Sequence, residues 1–292
     1  MLLVLTCLLT ADGLLKDYNM LGFMQGRLSP IVNGKIQAFP WEHWEEEMEL
    51  ANRSGFGLME WTLDQERLHE NPLMFHEGRR RIKELCAKNN LKIESLTGDC
   101  FIQQPFWIAE GGKKEKLQMQ FRMIVNACSL LGIKYIVVPL VDHGRIETSA
   151  YEFELKKFLA EQLSYIRQKS IKILFEIDLI PVEVKRFIDE LPADQFGINY
   201  DMGNSAALGF EPEEEFQQYG SRILNVHIKD RILGGSTVPL GSGSTDFNLV
   251  FSQLKNLDYR GHFILQTARS SSEDHLSDLC KYREFVRPYC NF

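Results

Sequence analysis

The chain is predicted to fold as a single α/β domain, a (β/α)8 barrel. Three observations carry that prediction. From Asn19 onward, eight short β-branched or aromatic apolar runs alternate with longer amphipathic stretches. No Pro/Gly/Ser-rich linker divides the chain, and its 292 residues suit one eight-unit barrel of about 250 residues.

The strands are expected at Met20–Gln25, Gly57–Thr62, Lys92–Leu96, Tyr135–Leu140, Ile171–Ile177, Phe196–Tyr200, Ile223–Ile228 and His262–Thr267. Between them, apolar residues recur at three- and four-residue spacing, as in the helices expected at Trp41–Arg53 and Leu117–Leu131. A third helix, Tyr151–Gln168, is expected to carry Phe153, Phe158, Leu159, Leu163 and Ile166 on one face. Repeated strand–helix alternation implies parallel strands joined by right-handed crossovers. A doubly wound open sheet is the competitor, but it does not need eight units. The chain also lacks the glycine-rich phosphate loops GxGxxG and GxxxxGK[ST]. The barrel is assigned to residues 19–292.

Residues 1–18 are read as an N-terminal extension outside that fold, with Met20 as the working start. The apolar run Met1–Leu9 falls far short of the ~20 residues that span a bilayer. No positive segment precedes it, as a secretory signal requires. A cytoplasmic protein without a membrane partner is expected. The six cysteines (Cys7, Cys86, Cys100, Cys128, Cys280 and Cys290) form no C-x-x-C pair and are read as small apolar residues in a reducing compartment. With 44% hydrophobic and 25% charged residues, disorder and fibrous classes are excluded. Thirty-three Lys+Arg against 40 Asp+Glu give a net charge of −7, which argues against nucleic acid as the main partner. The state of oligomerisation is left open.

In a (β/α)8 barrel the reactive face lies at the carboxyl ends of the strands. Those ends carry, in order, Gln25-Gly26-Arg27, Glu60-Trp61, Asp99, Asp142-His143, Glu176 with Asp178, Asp201 with Asn204, His227-Ile228-Lys229-Asp230-Arg231, and Gln266 through Arg269. Glu176, Asp201 and His227 stand on consecutive strands. Strands ~4.8 Å apart bring such groups around one cation. Mixed oxygen and nitrogen donors with a further amide oxygen suit Mn²⁺, Mg²⁺ or Co²⁺, with Zn²⁺ as the alternative. The substrate-facing set is Arg27, Glu60, Trp61, Asp99, His143, Asn204, Lys229, Arg231 and Arg269. Four cations at one rim of an acidic protein favour an anionic substrate. The stretch LGSGS at 240–244 is expected to offer backbone N–H groups to the same anion. Trp61 offers a stacking face for a sugar ring, whereas Trp41 and Trp44, three apart, are explained by helix packing.

Six pieces in this order carry a resemblance: MLGFMQGRLSP at 20–30, LMEWTLD at 58–64, FEID at 175–178, NYDMGNSAALGF at 199–210, NVHIKDR at 225–231 and VPLGSGSTDF at 238–247. Together they resemble the xylose-isomerase-like barrel superfamily of sugar-phosphate isomerases and epimerases. The resemblance implies one divalent cation held by Glu176, Asp201 and His227, with the eighth-strand ligand falling on Gln266. It also implies a small-molecule sugar or sugar phosphate as substrate, and proton transfer alpha to a carbonyl with Glu176 as base. Two departures stand out. Relatives carry a glutamate where this chain has Gln266, which removes the second proton-transfer group of the epimerases, and many carry a histidine where it has Asn204. A one-base isomerisation therefore stays open. So do a dehydratase acting on a keto-polyol and a non-catalytic carbohydrate-binding relative. The type-IV apurinic endonucleases of the same superfamily need many histidines around zinc. Of the seven here, only His143 and His227 fall near strand ends.

Overall fold

In the computed structural model, which describes residues 21–270 and 272–290, the eight apolar runs become parallel strands. They are β1 (Leu21–Met24), β2 (Leu58–Thr62), β3 (Lys92–Thr97), β4 (Tyr135–Leu140), β5 (Lys172–Ile177), β6 (Phe196–Asp201) and β7 (Ile223–Ile228). After a two-stranded antiparallel ribbon, β8 (Asp230–Arg231) with β9 (Thr237–Val238), comes β10 (His262–Leu265). The barrel closes in the order β1-β10-β7-β6-β5-β4-β3-β2. The expected extension at 1–18, Met20 and Cys7 lie outside the described residues.

The principal helices are α1 (Trp44–Arg53), α2 (His76–Asn89), α3 (Asp99–Gln103), α4 (Gly111–Leu131), α5 (Ser149–Gln168), α6 (Pro181–Asp189), α7 (Met202–Leu208), α8 (Pro212–Tyr219), α9 (Phe247–Asn256) and α10 (His275–Val286). Three sequence expectations are corrected. The first helix starts at Trp44 rather than Trp41, because His43 N–H donates to the Pro40 carbonyl at 2.9 Å and closes a turn there. The last strand stops at Leu265, where its ladder with β1 ends at the Phe23–Leu265 pair, so Gln266 and Thr267 begin the loop. Phe153 is 63% exposed. The buried stripe of α5 is Leu155, Phe158, Leu159, Gln162 and Ile166, and Phe153, two residues before its start, faces away at 3.6 residues per turn.

Side chains alternate across a strand, so each strand feeds two compartments. The large apolar core lies between barrel and helices, with Phe23, Trp61, Phe175, Val226 and Phe263 contributed from the strands. A small separate cluster of Met24, Leu58 and Ile264 lies inside the barrel. Barrel interiors are ordinarily filled by branched aliphatics. Here fully buried Glu60, Asn225 and His227, with nearly buried Asn199, occupy much of that space. Cys100 and Cys128 are buried, as expected of all the cysteines, whereas Cys86, Cys280 and Cys290 are only partly buried. Among the described residues no helix is long and apolar enough to cross a membrane.

Gly78 shows how tightly the outer layer is built, since a Cβ there would lie 2.1 Å from the Pro72 carbonyl oxygen and 2.6 Å from its Cα. Backbone atoms cannot yield as a side chain can. Gly78→Ala is expected to destabilise the fold by about 1–3 kcal/mol. Gly112→Ala, in open space, is expected to stabilise it by about 0.5–1 kcal/mol. Urea unfolding of both variants checks the contrast.

Candidate active site

The polar interior follows from strand parity. On β7, Asn225 and His227 point inward and Val226 and Ile228 outward; on β6, Asn199 and Asp201 point inward. His227 Nε2 lies 2.8 Å from Glu60 Oε1, across the barrel on β2. Its Nδ1 lies 3.2 Å from Glu176 Oε2 and 3.0 Å from Asn199 Nδ2. Asn225 Nδ2 donates to Glu60 Oε2 at 3.0 Å and to Asn199 Oδ1 at 2.7 Å, and Asn199 Nδ2 donates to Glu176 Oε2 at 2.9 Å. Burial opposes charge on both His227 and Glu60. Their mutual attraction, with Glu176, outweighs it and holds the imidazole well above its ordinary value and the Glu60 carboxyl below its own.

Above this layer, Asp201 caps α7 by accepting the Asn204 N–H at 2.8 Å, the usual work of an aspartate at that position. Asn204 then joins opposite charges. Its Nδ2 donates to Glu176 Oε1 at 2.7 Å, while its Oδ1 accepts from Lys229 Nζ at 3.2 Å and Arg231 Nη1 at 2.8 Å. Lys229 Nζ also reaches Asp201 Oδ2 at 3.1 Å and Gln266 Oε1 at 3.3 Å. Lys229 fits there because Gly203 has no side chain: a Cβ would lie 2.7 Å from Lys229 Cγ.

On the β1 side, Arg27 Nε donates to the Thr267 carbonyl at 2.9 Å and Nη1 to the Ile36 carbonyl at 3.1 Å. Arg269 Nη2 donates to the Ser29 carbonyl, so the loops after β1 and β10 hold one another. Burial, aided by Arg269, lowers Arg27 to about 9. Asp99, at the start of α3, is pushed up to about 8 by burial and by the neighbouring Asp64 and Glu176.

The structure therefore brings Glu60, Glu176, Asn204, Asp201, His227, Lys229, Arg231 and Gln266 into one bonded cluster, with Arg27, Asp99 and Arg269 on the adjoining rim. It does not bring in Trp61 or His143. Trp61 follows inward-facing Glu60, so parity sends it outward between Phe39 and Trp44, with its indole N–H donating to Asn71 at 3.1 Å. Glu60 itself is fully buried beneath His227 rather than facing a substrate. His143 is exposed on the single turn after β4, with no hydrogen bond to the cluster among the described residues. The LGSGS amides are already taken: Gly241 and Gly243 N–H donate to Asp230 Oδ2 at 2.9 and 2.8 Å. Sequence reasoning missed Asn199 and Asn225, although each stands two residues before a recognised inward residue.

The donor set fits a divalent cation. Glu176, Asp201 and His227 each offer a ligand atom, and these lie within 4.8 Å of one another. Glu60 on the far nitrogen of His227 is the carboxylate–histidine arrangement that orients a metal-binding imidazole. Gln266 adds an uncharged amide oxygen that Lys229 already engages.

Comparisons agree with this architecture. Residues 48–284 match the family model of the xylose isomerase-like TIM barrel. L-ribulose-5-phosphate 3-epimerase UlaE of Escherichia coli is 23% identical over 257 residues, covering 84% of this chain and 89% of that protein. D-psicose 3-epimerase from Clostridium cellulolyticum H10, solved with D-tagatose, superposes with TM-score 0.73 at 10% identity, covering 94% of this chain and all of that one. The IOLI protein, solved with a zinc atom, gives TM-score 0.72 at 18% identity over 94% of this chain and all of that one.

Two outcomes are expected. Dialysis against Mn²⁺ leaves about one ion per chain, lost in Asp201→Ala, and affinity rises with pH because a ligating imidazole nitrogen must be free of its proton. Elemental analysis and titration calorimetry across pH read both. In chelator-treated protein, Asp99 binds its proton more tightly folded than unfolded. Its contribution to stability is therefore present below its unfolded value, 3.8, and lost as pH rises through about 8. Asp99→Asn should flatten that loss in urea unfolding between pH 6 and 9.

Proposed function

The chain belongs to the xylose isomerase-like TIM-barrel family, and from that premise we propose that it is a sugar or sugar-phosphate isomerase/epimerase, moving a proton alpha to a carbonyl with Glu176 as base. The observation that carries this reading is the setting of Glu176. One carboxylate oxygen is held by Asn204 and the other by Asn199, with Asp201 and His227 donors beside it. A base must be aimed at the proton it removes, and two amide donors on opposite oxygens fix that aim.

Asp201, His227 and Glu176, with the amide oxygen of Gln266, are the residues that hold the cation, with Mn²⁺, Mg²⁺, Co²⁺ or Zn²⁺ as the candidates. When bound, such an ion supplies Lewis-acid stabilisation of the negative charge that develops on the substrate oxygen. Gln266 has no proton to exchange near neutral pH. The proton taken by Glu176 is therefore returned by Glu176, which favours shifting the carbonyl between adjacent carbons over inverting a centre with two bases.

Three arginines support an anionic substrate. Arg27, Arg231 and Arg269 follow three neighbouring strands, β1, β7 and β10, and among the described residues their bonds go to uncharged oxygens: Thr267 and Ile36, Asn204 and Gly235, and Ser29. Arg269 Nε is buried with no partner among the described residues. A phosphate offers these guanidiniums a charged acceptor in place of neutral oxygens. The sugar phosphates named for relatives such as UlaE, L-ribulose 5-phosphate first, are thus the substrates to screen, and we place the reaction in the cytoplasm.

In that screen Glu176→Gln is expected to lower kcat by about 10²–10⁴-fold, the usual worth of a positioned base. Arg27→Ala is expected to raise KM for the phosphorylated sugar much more than for the free sugar. Equal effects on both would remove Arg27 from phosphate binding, and an unaffected kcat in Glu176→Gln would remove Glu176 as the base.

A further inference from the structure

Glu47 is a fully buried carboxylate on α1, outside the cluster described above. It accepts the Gly26 N–H on both oxygens, at 2.8 and 2.9 Å, and the Leu28 N–H at 2.8 Å. The two amides belong to the residues immediately before and after Arg27, so one side chain grips the backbone on both sides of that arginine. The turn depends on this grip. Gly26 has φ +94°, and the turn is further tied by the Ser29 hydroxyl on the Gly26 carbonyl at 3.3 Å, by Arg27 itself and by Arg269 on the Ser29 carbonyl.

We propose that Glu47 is a positioning residue for substrate binding: by clamping the Gly26 and Leu28 amides it sets how the Arg27 guanidinium is presented to the substrate's anionic group. The proposal rests on the reading that Arg27 seats that group. Glu47 makes no contact with the metal-ligand set among the described residues, so its effect runs through the loop. The charged groups facing it are Arg27, on the loop it clamps, and Arg269, on the loop after β10. Burial raises Glu47 to about 7, against the lowering effect of the two amides and both arginines. Once protonated, one oxygen becomes a donor facing donors, and the grip on the loop weakens.

Charge and positioning predict opposite signs. Removing the negative charge of Glu47 leaves Arg27 and Arg269 more strongly positive, so a purely electrostatic role makes anion binding tighter. A positioning role makes it weaker. Sulfate is the probe, because it stays a dianion across the range and its titration cannot imitate the protein's. Sulfate affinity is to be measured calorimetrically between pH 5.5 and 8.5 for wild type, Glu47→Gln, Arg27→Ala and the double variant.

The expected result is weaker wild-type binding as pH falls through about 7, and in Glu47→Gln a loss of about tenfold against wild type at pH 8.5, the scale of one charge-assisted hydrogen bond, that closes towards pH 5.5 as wild-type Glu47 takes up its proton. No further loss is expected on adding Glu47→Gln to Arg27→Ala. If Arg27→Ala weakens sulfate but Glu47→Gln leaves it unchanged or tightens it, the role of Glu47 is overturned and the arginine seat stands. If Arg27→Ala has no effect, both readings fall. Should Glu47→Gln not fold, wild-type hydrogen exchange decides. Protection of the Gly26 and Leu28 amides, corrected for intrinsic rates, must drop between pH 8 and 6, and constant protection overturns the proposal.

Discussion

The structure depends on keeping charge inside the barrel. Glu60 and His227 are both fully buried and meet at 2.8 Å across the barrel, between strands β2 and β7 that are not neighbours in the sheet. Each charge alone would be costly in that position, and removing one partner of such a pair typically costs about 3–5 kcal/mol. Asn225 donates to the other Glu60 oxygen and to Asn199, and Asn199 in turn donates to Glu176. Barrel closure and the polar site are therefore coupled: the sheet encloses the pair, and the pair ties β2 to β6 and β7 from within.

Amides do much of the adjustment around it. Asn204 presents its N–H₂ to a carboxylate and its oxygen to two cations, so it separates Glu176 from Lys229 and Arg231 while orienting all three. Gln266 offers Lys229 an oxygen without adding negative charge. Asp230, fully buried below the rim, gathers the amides of the glycine-rich loop. Gly243 is required there, because a Cβ would lie 2.3 Å from the Asp230 carboxylate. The glycine-rich loop thus spends its amides on a carboxylate of the same chain.

Much of this was legible in the sequence because barrel strands announce themselves twice, by apolar runs and by polar residues at their carboxyl ends. Glu176, Asp201 and His227 were readable from that placement alone. The two-residue period, a local property, would have separated Glu60 from Trp61 and pointed to Asn225 and Asn199, but the reading of strand ends alone grouped the first two and passed over the others. The remainder depended on distance in the chain. Glu47 looks like one more acid in a charged helix, WEEEMEL, until α1 packs it against the turn holding Arg27. The occupation of the LGSGS amides by Asp230 was equally invisible, because a glycine-rich loop has the same sequence whether its amides wait for a ligand or hold a carboxylate.

The account stands most directly on proton abstraction by Glu176. The decisive measurement is hydrogen exchange at the carbon alpha to the carbonyl, followed by NMR in D₂O with Mn²⁺-loaded protein and a panel of ketose phosphates and free ketoses. The account predicts deuterium entering that position of at least one phosphorylated sugar, with the exchange lost in Glu176→Gln. Absence of exchange across the panel, or turnover in which the substrate's own hydrogen is fully carried over, as a hydride shift requires, would contradict it.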